Sequence, residues 1–327
     1  MLAFLLALTV AASSVQSIVG AYLDRYFQTF PTKATEAGLH DRDRAIEDLS
    51  PPARDAWMRV DRDVRARLTR AMAQPGVSLD DRIDAELLLA EIDRQIHDWT
   101  VLKRPERDPL FWTSTLANAT VFLLVRDDLP LAERLDRARA RATLVPRLAA
   151  QAREALEATD PSLIAPDLCR IAAGQAKASA EFYRTGFPKA AGHEDAALGA
   201  AGRAAADGLS RLASFLDGLA ARATGNPRLG ANYAETFRLG TGIAEPVDRV
   251  LARAERDLTR RGPKPRRTDG RCGQRSCPAN RRRPTTGRCC AVSSTAPPPI
   301  ATATSTTMSR GGIGTCGTSS GSCGIAG

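Results

Sequence analysis

Histidine is scarce in this 327-residue chain: there are three, His40, His97 and His193, and none follows position 193. A hydrolytic zinc site of the common kind needs two His one helical turn apart. That spacing puts both imidazoles on one face, and a Glu beside the first activates the bound water. His193-Glu194 begins in that way, but Ala196 and Ala197 stand where the second His belongs. Nor do three scattered histidines define a Ser-His-Asp or Cys-His arrangement, which is a matter of geometry rather than order. Cysteine is nearly absent from the first 260 residues, where Cys169 stands alone. No disulfide framework is needed there, and a single Cys within a helical pattern reads as buried packing. No strand-like alternation of any length occurs.

Residues 261–327 lack Leu, Phe, Tyr, Trp and Glu and are filled with Arg, Pro, Gly, Ser, Thr and Cys. Such a segment cannot bury enough apolar surface to offset an ordering entropy of roughly 1–2 kcal/mol per residue, so disorder is expected. The change of character falls within a good helical pattern, at Asp257-Leu258-Thr259-Arg260. A G+C-rich gene read in a shifted frame gives this composition, and a frameshift is the favoured reading. Cys272 and Cys277 with Cys289-Cys290 offer four thiols, but at a spacing that matches no common zinc module.

The net charge is +9, from 46 basic and 37 acidic residues. Eleven of the basic residues but only one acid, Asp269, lie in 261–327, which leaves the first 260 residues at −1. Overall basicity therefore says nothing about a nucleic-acid-binding body. The Arg281–Arg283 cluster would bind phosphate backbones non-specifically, and without interleaved aromatics it carries no base readout. No specific nucleic-acid partner is predicted. A basic tail tethering a non-catalytic scaffold to nucleic acid or another acidic surface is the alternative reading.

What is present is helical. LAFLLALTVAASS resembles the apolar core of an export signal with small residues near Val10–Ser13, although no Lys or Arg precedes it. It is too short to span a membrane. Residues 1–20 are thus read as a signal for periplasmic or secreted export, or as the first turns of a helix in a cytoplasmic protein. Val19, Tyr22, Tyr26 and Phe30 then form one stripe, stopped by Pro31. Ser50-Pro51-Pro52 reads as a cap before a helix carrying Ala53, Trp57, Val60, Val64, Leu68 and Met72. Ser78, with Asp81, caps a second long helix whose buried stripe is expected at Leu79, Ile83, Leu87, Ile92, Ile96 and Trp99.

Further helices are expected over Leu110–Val125 and from Pro130 to Leu156, the latter kinked at Pro146. Others follow from Pro161 through Leu168, Ile171 and Gln175 to Phe182, over the Ala-rich 190–223, and from Pro246 to Leu258. The fold class is all-α, a multi-helix array of amphipathic helices over residues 21–260.

Among polar residues, Asp41, Asp43, Glu47 and Asp48 alternate with Arg42 and Arg44, which reads as a solvated face. His40 reads as a turn residue bonded to local backbone, His97 as a partly buried structural group beside an apolar stripe or part of a solvated face, and His193 as exposed. Gly240-Thr241-Gly242 lacks the third glycine of a dinucleotide loop and reads as a turn. No catalytic, cofactor-binding or metal-ligating residue is assigned.

Four stretches carry a resemblance. They are FPTKATEAGLHDRDRAIEDLSPPA, RARATLVPRLAAQAREAL, GLSRLASFLDGLAARATGNPRLGANYAETFRLGTG and EPVDRVLARAERDL, in that order over about residues 21–259. Together they resemble the bacterial DUF885 family, large helical proteins similar to gluzincin-type zinc metallopeptidases. The resemblance implies zinc and a peptide substrate for an intact member, with the two-His motif in its C-terminal half. This chain lacks that motif. It is therefore expected to be the N-terminal part of such a protein, cut off from its zinc half, holding no cofactor and inactive as it stands.

Overall fold

The computed structural model describes residues 14–261, and among them there is no strand. Of the stretch 1–20 expected as an export signal or first helical turns, residues 1–13 lie outside the described residues, as do 262–327 of the tail expected to be disordered from 261 on. No described helix is long and apolar enough to cross a membrane. The helices are α1 (Val15–Thr29), α2 (Pro31–Glu36), α3 (Pro51–Met72), α4 (Leu79–Ile96), α5 (Arg104–Arg107) and α6 (Pro109–Val125). They continue as α7 (Leu131–Ala142), α8 (Val145–Glu157), α9 (Pro166–Thr185), α10 (Ala196–Arg222), α11 (Tyr233–Thr241) and α12 (Val247–Arg261). The all-α reading holds.

Proline and capping residues punctuate this array. Pro31 stops α1 and opens α2, a short helix not foreseen from sequence. Ser78 caps α4 by accepting from the Asp81 amide at 3.1 Å. Ser50 makes no such bond before α3. The next two residues are both proline, so the N–H that a capping hydroxyl would take at the second helical position does not exist. Pro146 lies in the first turn of α8 rather than kinking one long helix. There its missing donor costs nothing, and the chain breaks into α7 and α8.

The centre of the body is built from α6 to α10. Trp112, Leu116 and Leu123 of α6, Leu148 and Leu156 of α8 and Leu209 of α10 belong to one buried cluster, all essentially without exposure. The closest approach is between α9 and α10, and small residues make it. The buried face of α9 is Cys169, Ala172, Ala173, Ala176, Ala180 and Tyr183, while its larger apolar residues Ile171 and Phe182 are exposed. A Cβ on Gly202 would lie 2.3 Å from the Tyr183 carbonyl oxygen, and one on Gly208 would lie 2.8 Å from Pro146 Cα. Burial of Cys169 pushes its thiol up to about 11, so it is an inert packing group.

A second group, α1, α3 and α4, packs around an aromatic cluster in which Tyr22, Tyr26 and Phe30 surround Trp57. The stripe expected for α4 needs correction. Ala85 and Ile92 are buried, but Leu79, Ile83 and Leu87 are exposed at 70%, 46% and 67%. Apolar residues occupy more than half of this helix's circumference, and only the side carrying Ala85 and Ile92 meets α1 and α3. Helix α12 carries Val247, Val250, Leu251, Ala254 and Leu258 at helical spacing, yet none of them is buried.

The tight α9–α10 seam predicts opposite outcomes for two glycines in one helix. Gly202→Ala is expected to destabilise by about 1–3 kcal/mol through overpacking against the Tyr183 carbonyl. Gly218→Ala, where a Cβ meets nothing within 4 Å, is expected to stabilise by up to about 1 kcal/mol through helix propensity. Urea unfolding of both variants checks the pair.

Candidate functional site

The densest polar site lies where residues 31–50 meet α6, α7 and α8. Asp43 and Glu47, expected on a solvated face, are 1% and 2% exposed. The cause is clear: Ile46 and Leu49 are pulled into the core, Glu47 turns in with them onto Thr32, and Asp43 meets Arg137 from a helix far along the chain. Asp43 Oδ1 accepts from the Thr35 hydroxyl at 2.5 Å. Its Oδ2 accepts from Arg137 at 2.9 Å and from His40 Nδ1 at 2.8 Å. Glu47 accepts from the backbone N–H of Thr32 at 2.9 Å and from its hydroxyl.

Arg141 is the deepest member, a guanidinium with 1% of its side chain exposed. It donates to the Ala119 carbonyl at 3.2 Å, the Thr35 hydroxyl at 2.9 Å and the Arg42 carbonyl at 3.2 Å. Burial pulls its pKa down, and the nearby charges of Glu47 and Asp43 oppose that. Arg126 holds the Glu36 carbonyl, Arg137 the His40 carbonyl, and Arg147 the carbonyls of Ile46 and Glu47. Gly38, at φ +84, lets the chain turn against Arg126, whose Nη2 would lie 2.8 Å from any Cβ there. These arginines spend their donors on fixing a loop.

The three histidines do not converge. His40 Nδ1 is bound to Asp43, a side-chain partner rather than the local backbone expected, and Nε2 lies 3.5 Å from Asp128 Oδ2. His97 is buried, with Nε2 2.9 Å from Thr236 Oγ1. His193 is exposed on the turn before α10. Zinc fits none of them. The two carboxylates around His40 are already paired with Arg137 and Arg126, whose charges would repel a cation. Among the described residues, no group of three or more His, Cys, Asp or Glu could hold a metal.

A separate buried acid escaped the sequence reading. Asp61 of α3 has no exposure, and only its Oδ1 is bonded, to the Tyr22 hydroxyl at 3.1 Å. Its Oδ2 has no hydrogen-bond partner. Burial pushes the carboxyl up to about 7; the Tyr22 hydrogen bond opposes the shift and the Glu91 charge adds to it. The signal was present, since Trp57, Asp61, Val64 and Leu68 step by four, three and four along the buried face.

Two measurements follow. Removing the central guanidinium, as Arg141→Met, is expected to cost about 3–5 kcal/mol in urea unfolding, because it strands buried acceptors. A cost below about 1 kcal/mol would show the network to be dispensable. For Asp61, the folded pKa lies above the unfolded one. Its contribution is therefore fully present below about pH 4 and is lost towards pH 7, by on the order of 1.4 kcal/mol per pH unit. Asp61→Asn should gain stability relative to the parent chain at pH 8 but much less at pH 4; equal differences at both would contradict this.

Comparison with known proteins agrees with this helical architecture. The family described as "Bacterial protein of unknown function (DUF885)" matches residues 31–267. A solved structure from Shewanella oneidensis, described as "a putative lipoprotein of unknown function", superposes with a TM-score of 0.62 at 19% identity. The match covers 76% of this chain and 46% of that one, so the chain spans less than half the length of its solved relative. No curated protein matches. With the family match extending over well over half of its length and its helical fold shared, the chain belongs to the DUF885 family.

Proposed function

We propose that this chain is the N-terminal helical part of a larger zinc-dependent, peptidase-type hydrolase, and that it contributes scaffold rather than chemistry. The observation that carries the reading is the separation of its histidines: His40, His97 and His193 lie on different elements, the first two bound to groups other than each other. The four sequence stretches that resemble the family support membership of such an architecture. Exposed apolar residues on α4 and α12, including Leu79, Leu87, Leu251 and Leu258, are the faces that a continuing helical body would cover. Zinc does not fit the residues present, and no catalytic step is assigned to them.

The whole protein would act on peptides, and this part would position the helices against which a catalytic half packs. The buried polar network around Arg141 suits that role, because it fixes residues 31–50 in one arrangement. Export would suit the reading as well, in keeping with the lipoprotein description of the Shewanella oneidensis relative. Incubating the purified chain with added zinc and a mixed peptide library is expected to release no product above the blank. Cleavage that follows the chain through purification and stops on adding a chelator would overturn the proposal.

A further inference from the structure

Where α4 ends, the helix widens into a π-type turn, His97–Val101, closed by the Leu102 amide on the His97 carbonyl at 3.0 Å. π-type turns recur at functional positions because they re-aim side chains that an α-helix would hold elsewhere. Lys103 follows at φ +52, the one non-glycine residue with positive φ among the described residues. Such a conformation costs energy and persists only where the surroundings impose it. Both irregularities border the same cleft of about 460 Å³. Its far wall is the segment 226–236.

That wall is fixed in place. The Gly225 amide donates to the Ile164 carbonyl at 2.8 Å, and a Cβ on Gly225 would meet Ile164 backbone at 2.6 Å. Asn226 Oδ1 accepts from the Arg228 amide at 2.9 Å. Thr236 gives its hydroxyl hydrogen to the Asn232 carbonyl at 2.8 Å, so it accepts from His97 Nε2. His97 thereby ties α11 to the π-type turn.

The charges in the cleft are uneven. Asp98 accepts from Arg94 at 3.1 Å and Arg104 at 3.5 Å. Asp108 is occupied by Arg104 at 2.9 Å and by the Leu110 amide it caps at 2.9 Å. Both acids are satisfied. Arg107 and Arg228 also line the cleft, and among the described residues neither guanidinium is engaged in an ion pair or hydrogen bond. The rest of the lining sets apolar Val101, Leu163, Leu168 and Leu229 beside polar Asn226, Asn232 and Thr236. Two free guanidiniums beside an apolar wall suit an anion with an apolar body, not a bare phosphate.

We propose that the cleft between the His97–Val101 turn and segment 226–236 binds a carboxylate carried on a short apolar group. Arg107 and Arg228 receive the carboxylate, and Leu163, Leu168 and Leu229 receive the apolar part. The C-terminal residue of a peptide and a free short-chain aliphatic acid share this chemistry. Binding here requires neither zinc nor hydrolysis, so it stands apart from the hydrolase reading.

The test is titration of the full chain, by calorimetry or by protein-observed NMR, with N-acetyl-leucine and with hexanoate. N-acetyl-leucinamide and inorganic phosphate serve as controls. Saturable binding of at least one carboxylate is expected, with each control about tenfold weaker or more. N-acetyl-leucine binding while hexanoate does not identifies a peptide terminus; the reverse identifies a free acid. Arg107→Gln with Arg228→Gln should weaken binding about tenfold or more, with an unchanged circular dichroism spectrum. Lys189→Gln, a change to an exposed residue outside the cleft, should leave it unaltered. Absence of saturable carboxylate binding, equal binding of N-acetyl-leucinamide or phosphate, or binding indifferent to the double arginine change would overturn the proposal.

Discussion

Arg141 is the contact on which the remaining arrangement depends. A guanidinium taken out of water is costly, and attraction to carboxylates compensates only when its donors are also satisfied. Here the donors go to Thr35, the Arg42 carbonyl and the Ala119 carbonyl, with Asp43 Oδ1 at 3.9 Å. One side chain therefore joins α2, the irregular stretch after it, α6 and α7. Arg126, Arg137 and Arg147 repeat the device along the same stretch. Residues 31–50 have little regular structure of their own, and arginine donors stand in for the missing backbone ladder. Arg141 Nε and Glu47 Oε2 are left without hydrogen-bond partners, so the network is not fully satisfied.

The other constraint is steric. Helices α9 and α10 meet through alanine and glycine, which brings the backbones close and leaves no room for a Cβ at Gly202. That seam gives α6, α7 and α8 a rigid surface, and the arginine network then fastens the N-terminal stretch to it. A small-residue seam and a buried polar network thus hold the body together from two sides. Its buried acids and hydroxyls are engaged with one another or enclosed, and its one described thiol has no exposure.

Helix positions were largely legible, because proline and capping residues mark them. The faces were less so. Leu79, Ile83 and Leu87 make a good stripe on paper, but α4 is apolar over more than half of its surface, and periodicity cannot choose between two apolar sides. On α9, the alanines win over Ile171 and Phe182 because close approach rewards small side chains. The burial of Asp43 was unreadable locally, since the arginines that face it, Arg137 and Arg141, come from α7 far along the chain. Asp61 and Arg141 could have been found, as both fall at buried helical spacings. The cleft beside His97 was not foreseen: nothing in HDWTV announces a π-type turn, and its far wall comes from residue 226 onward.

For the function, the sequence was informative through what it omits, and the structure adds that the histidines present are dispersed. The function we propose, a helical body that contributes framework to a larger hydrolase, accommodates both. Zinc stoichiometry tests it most directly. The purified chain, with its accessible thiols alkylated, would be dialysed against zinc and then against metal-free buffer before its metal content is read. The account predicts far less than one zinc per chain; a retained equivalent would contradict it.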